Sequence, residues 1–344
     1  MSETALEGDR LDGAPAPRET QALVGHHEAV AMVREAWDAG RLPHALLLGG
    51  PEGIGKATLA YQVARFVLAG GAAPAGSLDV DPAHPVARQV RVLSHPDMLV
   101  LRRTPSESGK LPTAIPAETV RKVRSFFGST AALGGWRVCI VDTLDEMNTQ
   151  GANALLKTLE EPPSRALFLL VSHAPGRLLP TIRSRCRAVP LRALSTGEVV
   201  TALEHLTTAM PTLDRARFEE AAEASEGSVR EALTLMAGEG LAIRKATAAL
   251  LGALPDVDPK ALHVLGEKLQ GDRGGAFENF VSTVECWISD HATGRQHMAA
   301  LRLARLPEVW EKVRRAAVDA DVYNLDRKTF VFRIFATLDE AVRH

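Results

Sequence analysis

The chain has 344 residues, 46% of them hydrophobic and 24% charged, with a formal net charge of −2. This length accommodates two or three domains with a sizeable core, and the charge balance excludes a globally basic nucleic-acid binder while leaving room for a local basic face. Three scattered cysteines, Cys139, Cys186 and Cys286, exclude a disulfide framework and a C-x-x-C zinc module and suit a reducing cytosol; no apolar run approaches the roughly 20 residues of a membrane span.

Residues 1–18 are rich in Gly, Pro, Ala and acids, which reads as a loose tail and not as a signal peptide. A helical pattern follows over 23–39. Ala45-Leu46-Leu47-Leu48, stopped by Gly49-Gly50, reads as a buried strand entering a turn, and 57–68 as a helix. Residues 70–96 are poor in core pattern and read as an irregular insertion. Met98–Leu101 is a second strand, and Pro116 opens a helix running to about 127. Val138–Val141 is a third strand, ending at Asp142. In 147–161 the apolar residues Ala152, Leu155, Leu156 and Leu159 share one helix face, and Pro162-Pro163 stops the helix. Leu167–Val171 is a fourth strand and 188–191 a short fifth. Strands alternating with helices predict an α/β fold, a mostly parallel sheet covered on both faces. Beyond 191 the patterns are helical: 195–240, then 258–270, 275–292, 296–318 and 325–343.

Gly50-Pro51-Glu52-Gly53-Ile54-Gly55-Lys56 matches G-x-x-x-x-G-K between a strand and a helix. Gly50, Gly53 and Gly55 would let backbone N–H groups curl round phosphate oxygens, with Lys56 reaching the outer phosphates. The bland alternative is a glycine-rich turn with a solvated lysine. The next residue is Ala57, where a working loop places Ser or Thr to bind Mg²⁺. Thr58 is rotated by about 100° round the helix and does not substitute cleanly. Asp142 suits a carboxylate placed near the metal, but Thr143 follows it and is a poor base. Asp145 and Glu146 read as negative charge at the next helix start. Two losses at separate places suggest a site that binds nucleotide poorly or holds it without turnover.

Asn153-Ala154-Leu155-Leu156-Lys157-Thr158-Leu159-Glu160-Glu161-Pro162-Pro163 resembles the signature helix of clamp-loader subunits of the AAA+ class. Leu179-Pro180-Thr181-Ile182-Arg183-Ser184-Arg185-Cys186 resembles their SRC motif. Leu23-Val24-Gly25 and Arg41–Ala45 resemble the approach to their phosphate loop, and Gly227–Leu233 their sensor-2 helix. The motifs occur in family order over roughly residues 20–240; the C-terminal hundred residues match only in being helical.

The resemblance implies a tail over 1–18, a RecA-like AAA+ domain over 19–191, a helical lid over 192–242 and an all-helical collar over 243–344 that oligomerises. It implies Arg185 as an arginine finger acting in trans, against the plain reading that Arg183, Arg185 and Arg187 form a solvated or DNA-facing stripe. Arg230, in the first turn of a helix capped by Ser228 and Glu231, is either a phosphate ligand or an exposed cation. Ser172, at the end of the fourth strand, corresponds to the sensor-1 region. The partners implied are an ATP-hydrolysing tau/gamma subunit, a delta subunit, the sliding clamp and primed DNA, in the cytoplasm and with no membrane. ATP is the one nucleotide implied, weakly held if at all. Many relatives carry a four-cysteine zinc module in the region of 70–96; here only His84 and His95 remain, so no zinc is expected and both histidines are assigned loop or packing roles. The rivals are an active tau/gamma-type ATPase, which Ala57 and Thr143 disfavour, a subunit that binds ATP without hydrolysis, and an unrelated helical scaffold.

Overall fold

Five apolar segments form one parallel sheet in the order β2-β3-β4-β1-β5: β1 Ala45–Gly49, β2 Met98–Arg102, β3 Arg137–Asp142, β4 Ala166–Ser172 and β5 Arg187–Pro190. The computed structural model describes residues 11, 14–104, 112, 114–237, 239–270, 275–292, 306–322 and 326–343. The chain divides into two compact units that meet between Glu231 and Ala232.

The first unit shows why the strands read as unbroken apolar runs. Successive strand residues face opposite sides, and here both sides are covered. Leu46, Leu48, Ile140, Leu169 and Val171 pack on one side with α1 His27–Asp38, α2 Lys56–Leu68 and α3 Pro85–Arg91. Leu47, Cys139, Val141, Phe168 and Leu170 pack on the other with α4 Ala117–Gly128 and α5 Thr149–Glu160. The start of α5 is fixed by Asn148, whose side chain accepts from the Gly151 N–H at 2.8 Å. The unit continues through α6 Pro180–Arg183, α7 Thr196–Leu206 and α8 Phe218–Ala224, and α9 Val229–Met236 begins at its end. A complete capping box between Ser195 and Glu198 starts α7.

Two expectations are corrected. Residues 14–18, read as the end of a loose tail, are packed: Ala14 and Ala16 are buried. The cause is the buried guanidinium of Arg65, which donates to the carbonyl oxygens of Arg18 and Thr20 at 3.2 and 3.3 Å and so needs this stretch in place. Residues 1–10, 12 and 13 of that tail lie outside the described residues. Nor is 70–96 an irregular appendage. It contains α3, and Leu78, Val80, Val86 and Val90 belong to the main core. His84 Nδ1 caps α3 by accepting from the Val86 N–H at 3.2 Å, and buried His95 accepts from the Asp97 N–H at 3.1 Å. Both histidines have the loop and packing roles expected of them.

The second unit is helical: α10 Gly240–Gly252, α11 Pro259–Gln270, α12 Ala276–Ala292, α13 Leu306–Val322 and α14 Arg327–Arg343. Its core centres on Phe280, with ring contacts to Phe330 at 6.1 Å and Phe335 at 6.4 Å. The first ten residues of the helical pattern at 296–318 lie outside the described residues. Among the described residues, no helix is long and apolar enough to cross a membrane.

Phe168 is fully buried in β4 and stacks on Phe127 at 4.7 Å. Phe168→Ala should therefore destabilise the chain by about 3–5 kcal/mol, read as a lower midpoint of chemical denaturation. An unchanged midpoint would contradict this packing.

Candidate functional site

β1 lies between β4 and β5 and runs through Gly50–Gly55 into α2. Gly55, the residue before α2, has φ 98°, and Gly53 has φ 75°; side chains resist such left-handed values. A Cβ on Gly53 would also lie 2.6 Å from Arg230 Cβ and collide with Ser228 Oγ. Only a glycine admits the start of α9 this close. The Val229 and Arg230 N–H groups donate to the Gly53 carbonyl oxygen at 3.0 and 3.4 Å, so the loop satisfies donors that every helix start leaves over. Arg230 Nε lies 3.6 Å from Glu52 Oε1. The first turn of α9 is thus joined to the loop by backbone and by charge, which brings the predicted Arg230 to the predicted glycines.

Lys56 is 3% exposed. Its Nζ donates to the Gly50 carbonyl oxygen at 2.8 Å and also to that of Pro51. Burial pushes its pKa from 10.5 down to about 8, against the carboxylates of Glu52, Asp142 and Asp145, which favour the ammonium. The lysine that the motif assigns to phosphate is therefore engaged by its own loop. With two of its three donors on those carbonyls, the ammonium has one left for a phosphate unless the loop contacts are exchanged.

Asp142 ends β3 half-buried, and it is near enough to Lys56 to act on its titration. The residue after it, Thr143, is buried, with its hydroxyl 3.4 Å from His173 Nε2. Asp145 lies in the first turn of the short 3-10 helix Leu144–Glu146, not at the start of α5, and it does more than place charge there. Its carboxylate accepts from Ser172 Oγ at 2.9 Å and from the His173 and Ala174 N–H groups at 2.6 and 3.3 Å. It clasps the end of β4 to the loop after β3. The hydroxyl of Ser172 does donate a hydrogen bond, and Asp145 receives it. Glu146 pairs with Arg103 at 2.6 Å, and burial raises its pKa although that arginine opposes the shift.

Two histidines belong to this site: His26, which carries no sequence signal, and His173, which falls with Ser172 in the sensor-1 region at 172–173. His26 is buried, and burial lowers its pKa; its neutral ring donates Nε2–H to the Ile54 carbonyl oxygen at 2.7 Å. His173 lies beside Thr143, and burial, then the charge of Lys56, hold its pKa down. His26 does not stand out in sequence, because its partner is a backbone carbonyl 28 residues away.

Arg185 does not join this cluster. It follows α6, where its Nη2 pairs with Glu160 Oε1 at 2.7 Å and its Nη1 donates to the Thr181 carbonyl oxygen at 2.8 Å. About a third of its side chain is exposed. Arg183 and Arg187 are exposed on either side.

A parallel five-stranded sheet, a glycine loop after a central strand, a carboxylate ending β3 and an arginine-bearing helix folded onto the loop define an AAA+-type nucleotide fold. Residues 25–195 match the family described as DNA polymerase III, delta subunit. The chain is 39% identical over 205 residues to DNA polymerase III subunit delta' of Pseudomonas aeruginosa, covering 59% of this chain and 58% of the relative. Against the Escherichia coli delta' subunit it is 33% identical over 210 residues, covering 61% and 59%, and against the Escherichia coli tau subunit 28% over 272 residues, covering 76% and 40%. Residues 25–195 belong to the DNA polymerase III clamp-loader family, and the chain resembles the delta-prime subunits within it. It spans less than two thirds of the length of these curated relatives. A gamma subunit-related protein of Thermotoga maritima aligns with TM-score 0.42 at 18% identity, covering 93% of this chain and 100% of that one.

Lysine side-chain NMR should find Lys56 titrating near pH 8, and Glu52→Gln should lower that midpoint further by removing a carboxylate that favours the ammonium. A midpoint of 10.5, the ordinary lysine value, would contradict the buried contacts.

Proposed function

We propose that this chain serves as a delta-prime-type clamp-loader subunit with a degraded ATP site of its own, completing a neighbouring subunit's ATP site in trans through Arg185. Its partners in this reading are the tau/gamma and delta subunits, and the assembled complex places the sliding clamp on primed DNA. The chain works in three parts: the nucleotide-fold domain at 19–191, a lid at 192–242 and an oligomerising collar at 243–344.

The observation that carries the reading is the state of the phosphate loop. Ala57 offers magnesium no hydroxyl and Thr143 offers water no carboxylate, while Lys56 is buried against its own loop. Phosphoryl transfer depends almost wholly on positioning and on charge placed round the transferring group. A site lacking two of those groups is poor at catalysis even where the cradle persists. Arg185 is supported by its motif, its partial exposure and its distinct seat after α6. Its planar fork suits bidentate contact with phosphate oxygens.

In a reconstituted loader, Arg185→Ala should sharply lower ATP hydrolysis by abolishing turnover at the one site it completes, where fingers of this kind are worth about 10³–10⁵-fold, with assembly intact by size-exclusion chromatography. Unchanged hydrolysis would contradict the role. Lys56→Ala should alter clamp loading little; a large loss would instead favour a subunit that holds nucleotide at its own loop without turning it over.

A further inference from the structure

The seat of Arg185 is built from two segments that the sequence keeps 21 to 25 residues apart, Glu160 at the end of α5 and Thr181–Arg185 round α6. Helices α5 and α6 pack together. Leu159, next to Glu160, and Ile182, three residues before Arg185, are both about 1% exposed in the same core cluster. Cys186, directly after Arg185, packs against that cluster as well. Both ends of the ion pair therefore stand on fixed backbone. The guanidinium is held at Nη2 by Glu160 and at Nη1 by the Thr181 carbonyl oxygen, at 2.7 and 2.8 Å.

An arginine side chain is long and loses much rotamer freedom when it is fixed. A finger that is already fixed has lost that freedom before any phosphate arrives. Guanidinium carries five N–H donors, so contacts to one carboxylate oxygen and one carbonyl leave donors for a phosphate. We propose that Glu160 is a positioning residue that pre-orders the Arg185 guanidinium for a phosphate held by the neighbouring subunit. This rests on the trans-finger reading and adds to it a second residue, from the signature helix. The pair is partly exposed, with 34% and 46% of the two side chains accessible, and such pairs contribute little to folding. Variants at Glu160 therefore fold and assemble, and their activity reports position.

The test is steady-state ATP hydrolysis by the reconstituted complex with wild-type chain, Glu160→Ala, Glu160→Gln, Arg185→Ala and the double alanine variant. Glu160→Ala should lower kcat by about 10-fold, within the cost of a misplaced group, with the KM for ATP nearly unchanged. Glu160→Gln should keep most of the rate, because its amide oxygen still accepts from the guanidinium. The double variant should match Arg185→Ala alone, an epistasis that a merely structural role for Glu160 would not produce. If Arg185→Ala is damaging while Glu160→Ala is silent or faster, or if the Glu160→Ala loss persists on top of Arg185→Ala, the positioning role is overturned and the finger stands. If Arg185→Ala is itself silent, the finger reading falls and the positioning role with it.

Discussion

The buried ammonium of Lys56, donating to the carbonyl oxygens of Gly50 and Pro51, is the interaction round which the nucleotide site is arranged. It depends on the glycines, because only their backbone freedom brings the loop's carbonyls inward. It depends also on α9, whose first N–H groups close on Gly53 from outside, and on the carboxylates of Glu52, Asp142 and Asp145, which partly offset the cost of burying a charge. The loop is thus satisfied from within. An ATPase loop must instead exchange such contacts readily for phosphate and metal at each turnover. Here the lysine, the glycines and Asp142 remain, while the hydroxyl after the lysine and the acid after Asp142 do not.

Much of this fold is legible because burial writes itself into sequence. A strand covered on both faces must be apolar at every position, as Leu46–Leu48 and Leu167–Val171 are, and a helix with one covered face shows its period, as 152–159 does. The five strands and the main helices fall where those patterns place them. The stretch at 70–96 is less legible because its core residues come in pairs too short to establish a period, Leu78 with Val80 and then Val86 with Val90 on the seven-residue α3, separated by turns and prolines. The packing of residues 14–18 was hidden because its cause is Arg65, a charge inside α2 that needs backbone acceptors from elsewhere. The clasp made by Asp145 is hidden for a similar reason. From the sequence that residue stands near a helix start, whereas the parallel register brings the end of β4 beside it.

The motifs divide by the same logic. The glycines, Lys56, Asp142 and Arg230 come together because the loop and the start of α9 converge at the C-terminal ends of the interior strands β1 and β3. Arg185 is seated apart from them, on a support shared by α5 and α6. In the proposed reading, the chain separates two tasks that a self-sufficient ATPase combines, holding a phosphate in cis and presenting a cation in trans. The cradle also has a structural purpose, since the Gly53 carbonyl oxygen accepts from the first N–H groups of α9.

The central claim, that the cradle is closed on itself and lacks its metal-binding hydroxyl, is tested most directly by calorimetric titration of the isolated chain with ATP, with and without magnesium. The account predicts no saturable micromolar binding and no gain on adding the metal. Tight binding that strengthens with magnesium would contradict it.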